Sequence, residues 1–447
     1  MLRKIGVAAL GLMTLSVAVS AQKAAKFPIE QFKLKNGMRV VLSQDRSAPV
    51  VGLALAYDVG SKDEAPGKTG FAHLFEHMMF QGSEHIGKFE HPKYIDAAGG
   101  IMNGFTRVED TTYIETVPSE KLPLILWLEA DRMRSLAVTA ENLKNQQEVV
   151  KEEKRLRYDN VPYANSRQRL VEIATQNPAY RHSVIGSMKD LEDATLDDVK
   201  KFFKTYYAPN NAVLVLVGDL DLKKTKELVS QFFDAIPSQP APPKPILTEP
   251  KQSAERRESA NDPLAKLPAL MIAWHGPSQQ DSDVYAVDIL SEILFSGETS
   301  RAYQEIVKGK QLALSVNGGI NQQRGPSLFT LMAIHPAGVA SADLEKAIYA
   351  QIDSLKQSAP SLEELDRVKA RMNAAQFRSV RFSGLESMLG RAVTIADHVV
   401  FDNNPELVNT EFARYMAVTP AQVQAAAKKY FTPENRTVLE VKPGAGK

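Results

Sequence analysis

In residues 50–60 (VVGLALAYDVG) apolar positions recur with a period of two, putting Val51, Leu53, Leu55 and Tyr57 on one face, and residues 38–45 (MRVVLSQD) have the same β-branched character. Both segments predict strands. A polar loop bearing glycine and proline follows, SKDEAPGKTG, and the pattern then changes to an apolar run at 71–80, FAHLFEHMMF, which predicts the start of a helix. Residues 141–163 predict a long second helix ending before Pro162. Leu143, Val150 and Arg157 recur on it every seven residues as a buried stripe; Glu153 falls beside Val150, and Glu148 and Glu152 turn further toward solvent.

Six prolines in residues 236–253 (IPSQPAPPKPILTEPKQS) forbid regular helix and favour an extended connector. On either side of it the chain repeats itself. Residues 194–219 and 418–443 match at Thr195 and Thr419, Pro209 and Pro433, and Asn211 and Asn435, always with an offset of 224. Each copy reads as a threonine-capped helix, a turn and a β-branched strand. The expected fold class is therefore α+β, a sheet carrying helices formed twice. Residues 22–235 would make the first unit and 254–447 the second.

Residues 1–21 stand apart from both units. Arg3 and Lys4, an apolar run over 5–19 and the small residues Val19, Ser20 and Ala21 predict a secretory signal cleaved after Ala21, and hence a periplasmic or secreted protein. The apolar run has fifteen residues where a membrane span wants about twenty. Losing Arg3 and Lys4 takes the formal net charge from +1 to −1, and no long basic run remains, which argues against a nucleic-acid partner. The 447 residues contain no cysteine, so neither a disulfide framework nor a thiolate nucleophile is available.

The candidate chemistry lies in the apolar run at 71–80. On a helix His73 and His77, four residues apart, project two imidazoles from one face, and Glu76 lies beside them. This H-x-x-E-H spacing supplies two ligands of a zinc shell, which still needs a third protein ligand from a facing element. From pattern alone Glu153 is either that ligand or part of a solvated helix face. His85 and His91 lie in polar loops marked by glycine or proline, where no metal role is expected.

Three segments in order resemble peptidase family M16, the pitrilysin-like metallopeptidases: GSKDEAPGKTGFAHLFEHMMFQGS, AAGGIMNGFTRVEDTTYIET and EVVKEEKRLRYDNVPY. The resemblance runs from about Leu34 to Pro443. It implies a half-sized member with two homologous α/β-roll domains, the first bearing one zinc and the second degenerate. It also implies His73, His77 and Glu153 as zinc ligands, Glu76 as general base, and Asn103 and Tyr113 as substrate contacts. Those last two read equally well as a turn asparagine and a half-buried strand tyrosine.

Two departures accompany the resemblance. Gln146 stands where a second glutamate often precedes the third ligand. In residues 302–316 (AYQEIVKGKQLALSV), Val307 and Leu314 replace an arginine and a tyrosine that bind substrate in single-chain members. Aligning Phe80-Gln81-Gly82 with Phe295-Ser296-Gly297 puts Asp288, Ser291 and Glu292 where His73, Glu76 and His77 stand, so the second half should hold no zinc. The expected function is a zinc endopeptidase acting on short or unfolded peptides. Its expected partner is a homologous subunit lacking H-x-x-E-H, or a second copy of the chain; the alternative is a non-catalytic scaffold subunit.

Overall fold

The computed structural model describes residues 26–378 and 384–444, so the leader expected over 1–21 lies outside the described residues. Among these, no helix is long and apolar enough to cross a membrane. Eleven strands form two sheets: β1 (Glu30–Lys33), β2 (Arg39–Gln44), β3 (Val50–Tyr57), β4 (Ile101–Thr106), β5 (Thr111–Pro118), β6 (Ala212–Gly218), β7 (Arg256–Asp262), β8 (Ala269–His275), β9 (Ser315–Asn321), β10 (Leu328–Ile334) and β11 (Arg436–Pro443). The first sheet runs β1-β2-β6-β3-β5-β4 and the second β7-β11-β8-β10-β9. Apart from β1 the two orders are the same. In each sheet one pair is parallel, β2 with β6 and β7 with β11, and the others are antiparallel.

The repeat in the sequence is a repeat of hydrogen bonds. Thr195 and Thr419 cap the helices Leu196–Tyr206 and Pro420–Tyr430, each in a capping box completed by the side chain three residues on. The Asn211 amide donates to the carbonyls of Asp58 and Tyr206, and that of Asn435 to His275 and Tyr430. Each asparagine thus ties the end of its helix to the end of the neighbouring strand, a task that needs a short side chain with two donors.

The expected face of β3 is buried: Val51, Leu53, Leu55 and Tyr57 enter the core formed with the helices Phe71–Met78, Leu122–Ser135, Leu196–Tyr206 and Leu222–Phe233. Its other face is buried too. Ala54 and Ala56, with Val41, Ile114, Val213, Val215 and Val217, lie under the helix Met388–Asp402, which belongs to the second half of the chain. In return Leu170 and Ala174 of the helix Ala164–Ala174 pack on Ala269, Met271, Leu328 and Leu439 of the second sheet. The two helices begin 224 residues apart, the offset of the repeat. The chain therefore exchanges one helix between its halves. A boundary at 236–253 separates the sheets but not the packing.

The connector has no regular secondary structure from 237 to 253. It is held as a strap: the Asn177 amide donates to the carbonyls of Ile246 and Thr248, and Glu249 accepts from the main chain at Gln176 and Asn177. Ion pairs close the joint between the halves, Arg324 with Asp58 at 2.8 Å and Arg107 with Asp397.

The tightest point of the exchange is Gly52 on β3, where an added Cβ would lie 2.7 Å from the main-chain nitrogen of Leu389. Gly52→Ala should push the helix Met388–Asp402 off the sheet and lower stability by about 1–3 kcal/mol, read as a reduced urea midpoint. Gly319→Ala on β9, where the new Cβ meets nothing within 4 Å, is the control and should leave the midpoint within error.

Candidate metal centre and general base

The segment leading out of β3 sets the direction of the first site helix. The fully buried carboxylate of Glu64 accepts from the main-chain nitrogens of Gly70 and Ala72, both at 2.8 Å, and so caps the first turn of Phe71–Met78. Gly70 has φ 89°, and a Cβ there would also strike the Ile185 carbonyl at 2.5 Å. Phe71, Leu74, Phe75 and Met78 anchor the helix, with Phe75 against Phe202, Phe203 and Tyr207. The opposite face presents His73 and His77, ring centroids 4.8 Å apart.

The helix Ala140–Lys154, capped by Thr139, faces them. Leu143 and Val150 are buried, and Glu153 comes forward to the imidazoles. Its Oε2 lies 3.2 Å from His77 Nε2 and 3.7 Å from His73 Nε2. Donors about 2.1 Å from a tetrahedral zinc stand roughly 3.4 Å from one another, so this spacing fits the ion. The protonation states fit as well. Burial, then His77, lowers His73 to about 4, and the hydrogen bond from His77 lowers Glu153, favouring a neutral imidazole and an ionised carboxylate.

One expectation about this helix is corrected. Arg157 is not on the buried stripe: after Lys154 the helix widens into a π turn, Arg155–Asp159, which breaks the seven-residue register. Its side chain is 74% exposed and pairs with Glu153 Oε1 at 2.9 Å. Gln146 is buried, but its amide donates to Asn145, and His73 Nδ1 is buried with no hydrogen-bond partner.

Glu76, 7% exposed, turns its carboxylate from the imidazoles to β4, where the Thr106 hydroxyl donates to Oε2 at 2.6 Å. Burial raises its pKa. Thr106 was not foreseen, although it lies in the same segment as Asn103. Asn103 is exposed on β4, at the free edge of the sheet. Tyr113 does not reach that surface: β5 lies between β3 and β4, and the Tyr113 side chain is fully buried between the rings of Tyr57 and Phe80, over the Arg132 guanidinium. Val307 packs against the second core and Leu314 is 57% exposed, so the arginine and tyrosine positions are apolar in space as in sequence.

The remaining candidates have other partners. His85 bonds Asp131 at 2.7 Å. His91 bonds Glu115 at 2.7 Å and, with Glu129, forms the other group of metal-ligating side chains among the described residues. There the buried Arg132 already supplies the positive charge, pairing with Glu129 through two nitrogens. Burial pushes Glu115 and Glu129 up to about 7 and His91 down to about 3. In the second half, Asp288 accepts from Tyr415, Ser291 from its own helix donates to the Asp288 carbonyl, and Glu292 pairs with Arg371.

The family model described as "Insulinase (Peptidase family M16)" matches residues 39–187, and "Peptidase M16 inactive domain" matches 193–372. The zinc protease PqqE of Helicobacter pylori is 30% identical over 445 residues, covering 99% of this chain and 98% of that protein. An uncharacterized zinc protease of Bacillus subtilis is 23% identical, covering 92% and 98%. Among solved structures, a protease from Helicobacter pylori superposes with a TM-score of 0.87 at 29% identity, over 93% of this chain and all of that one. The first half of the periplasmic protease PqqL from Escherichia coli superposes with a TM-score of 0.72 at 17% identity, over 92% and 91%, which shows a shared fold.

If these three side chains are the shell, the purified chain should bind about one zinc, and His77→Ala, which removes one of three protein donors, should lose most of it on metal analysis. Unchanged zinc content would place the ion elsewhere. The Glu115 cluster gives a separate prediction with a defined sign. Because burial raises Glu115 from 4.5 to about 7, the folded chain binds the extra proton between those values, and stability falls as pH rises through that window. Glu115→Gln should flatten the decline in urea midpoint between pH 5 and 8; an equally steep decline in the variant would contradict this.

Proposed function

We propose that this chain, which belongs to peptidase family M16, is the catalytic subunit of a periplasmic or secreted zinc endopeptidase that cleaves short or unfolded peptides. The observation that carries the proposal is a buried carboxylate held next to a three-donor cluster but outside it: Glu76 beside His73, His77 and Glu153. The relatives named zinc protease support the metal. Zinc, when bound there, would activate a water and polarise the scissile carbonyl.

The chain's own residues supply the rest. Glu76 takes the proton from the attacking water and delivers it to the leaving amine, the work of a carboxylate whose pKa burial has raised. Among the described residues β4 ends the first sheet, so the main-chain groups on its outer side have no strand partner there and can align an extended peptide along the site, with Asn103 on the same strand. The alternative of a non-catalytic scaffold draws on the family model called inactive, but that match begins at residue 193, beyond all four site residues.

Val307 and Leu314 support a two-chain enzyme. With no arginine there to hold the peptide or stabilise developing charge, the chain alone lacks a term worth about 1.5–3 kcal/mol, roughly ten- to two-hundredfold in rate. A homologous subunit facing the zinc half would supply it. The test is cleavage of a fluorescence-quenched peptide by the chain alone and mixed with such a homologue. Activity should rise on mixing, and in the mixture Glu76→Gln should keep its metal and lose about 10²–10⁴-fold in rate. Full activity of the isolated chain would remove the partner from the proposal, and an active Glu76→Gln would remove the base.

A further inference from the structure

A helix that places Glu76 between two metal-binding histidines creates a problem for the base. Glu76 is adjacent in sequence to His77 and three residues from His73, close enough for its carboxylate to swing into the same cluster. A fourth protein donor would turn an open catalytic shell into a closed structural one. Yet the atoms grouped within 4.8 Å of one another come from His73, His77 and Glu153 and not from Glu76.

β4 is what holds Glu76 aside: the Thr106 main chain interacts with the carboxylate, and two contacts add to it. The first is steric. An added Cβ at Gly104 would lie 3.3 Å from Glu76 Cγ and 3.2 Å from both Phe80 Cζ and Tyr113 Cδ1, so the stem of Glu76 rests against the strand where a side chain is missing. The second is the 2.6 Å hydrogen bond from the Thr106 hydroxyl to Glu76 Oε2.

The direction of that bond follows from its neighbours. Thr111, paired with Thr106 across the β4–β5 ladder, is 3.4 Å from the Thr106 hydroxyl but donates to the Val59 carbonyl at 2.9 Å. The single Thr106 proton is therefore directed to the carboxylate, which as an anion can only accept. Charge-assisted bonds of this kind are about twice as strong as neutral ones, enough to fix a rotamer.

We propose that Thr106 is a positioning residue that keeps the Glu76 carboxylate on β4 and out of the metal cluster, so that Glu76 serves as base and not as a fourth ligand. The inference rests on the reading of His73, His77, Glu153 and Glu76 given above. Thr106→Val preserves shape and removes the donor.

In the zinc-loaded chain, Thr106→Val should slow the release of zinc to a chelator, because the freed carboxylate joins the donors. In the peptide assay it should lower kcat about ten- to a hundredfold with KM within about twofold. Thr106→Ser, which keeps the hydroxyl, should restore both release rate and kcat. In the double variant with Glu76→Gln, release should return to the rate of Glu76→Gln alone, since no carboxylate remains to move.

Unchanged kcat in Thr106→Val overturns the proposal, and so does a reduced kcat with zinc released as fast as from the parent. Should Thr106→Val fail to fold, Thr106→Ala is read by the same two measurements. Failure of the underlying site assignment looks different: Glu76→Gln would stay active, or His77→Ala would keep its zinc.

Discussion

The burial of β3 on both faces is the constraint from which the rest of the structure follows. One face carries Val51, Leu53, Leu55 and Tyr57 against the helices that orient the site; the other, with Ala54 and Ala56, is sealed by the helix Met388–Asp402 from the far half of the chain. A strand covered on both sides cannot shift register without exposing apolar surface, so the loop it feeds and the cap at Glu64 start from a fixed point. The small residues on the far face, Gly52, Ala54 and Ala56, let the helix approach closely. The positions of His73 and His77 are thus set by packing on a strand that ends sixteen residues before His73 and, through the exchange, by a helix more than three hundred residues downstream.

Within the site, burial and charge act in opposite senses on neighbouring groups. Desolvation keeps His73 neutral and raises Glu76, while His77 keeps Glu153 ionised. Two neighbouring carboxylates are therefore set apart by environment more than by chemistry, Glu153 against the imidazoles and Glu76 against β4. Arg157 on the outer oxygen of Glu153 and Thr106 on Glu76 add to that separation from different elements.

Much of this was legible in the sequence because it is local. H-x-x-E-H fixes two imidazoles and a glutamate by helix geometry alone, and the 224-residue offset exposed the duplicated sheet through its threonine caps and Pro-x-Asn turns. The third donor came from resemblance, since periodicity places Glu153 on a face without saying what that face meets. The same gap explains the misses. The helix over 388–402 and its place on the first sheet were not foreseen, since an apolar pattern does not say which sheet buries it, and alternation in β5 does not say whether Tyr113 faces outward or toward Arg132. The Arg157 position failed because a single π turn, which has no strong sequence signature, rotates everything after Lys154.

The exchanged helices also bear on how the molecule comes into being. Ribosomes add about 5–20 residues per second, and 170 residues separate the end of β6 at Gly218 from the start of the helix Met388–Asp402. For roughly ten to thirty seconds, then, the first sheet has all its strands but an uncovered apolar face at Val213, Val215 and Val217. The second sheet waits as well, because Ala164–Ala174, made early, has nothing to pack on until β8, β10 and β11 exist. Neither half can close before the other, and the two reach their native cores together at the end of synthesis.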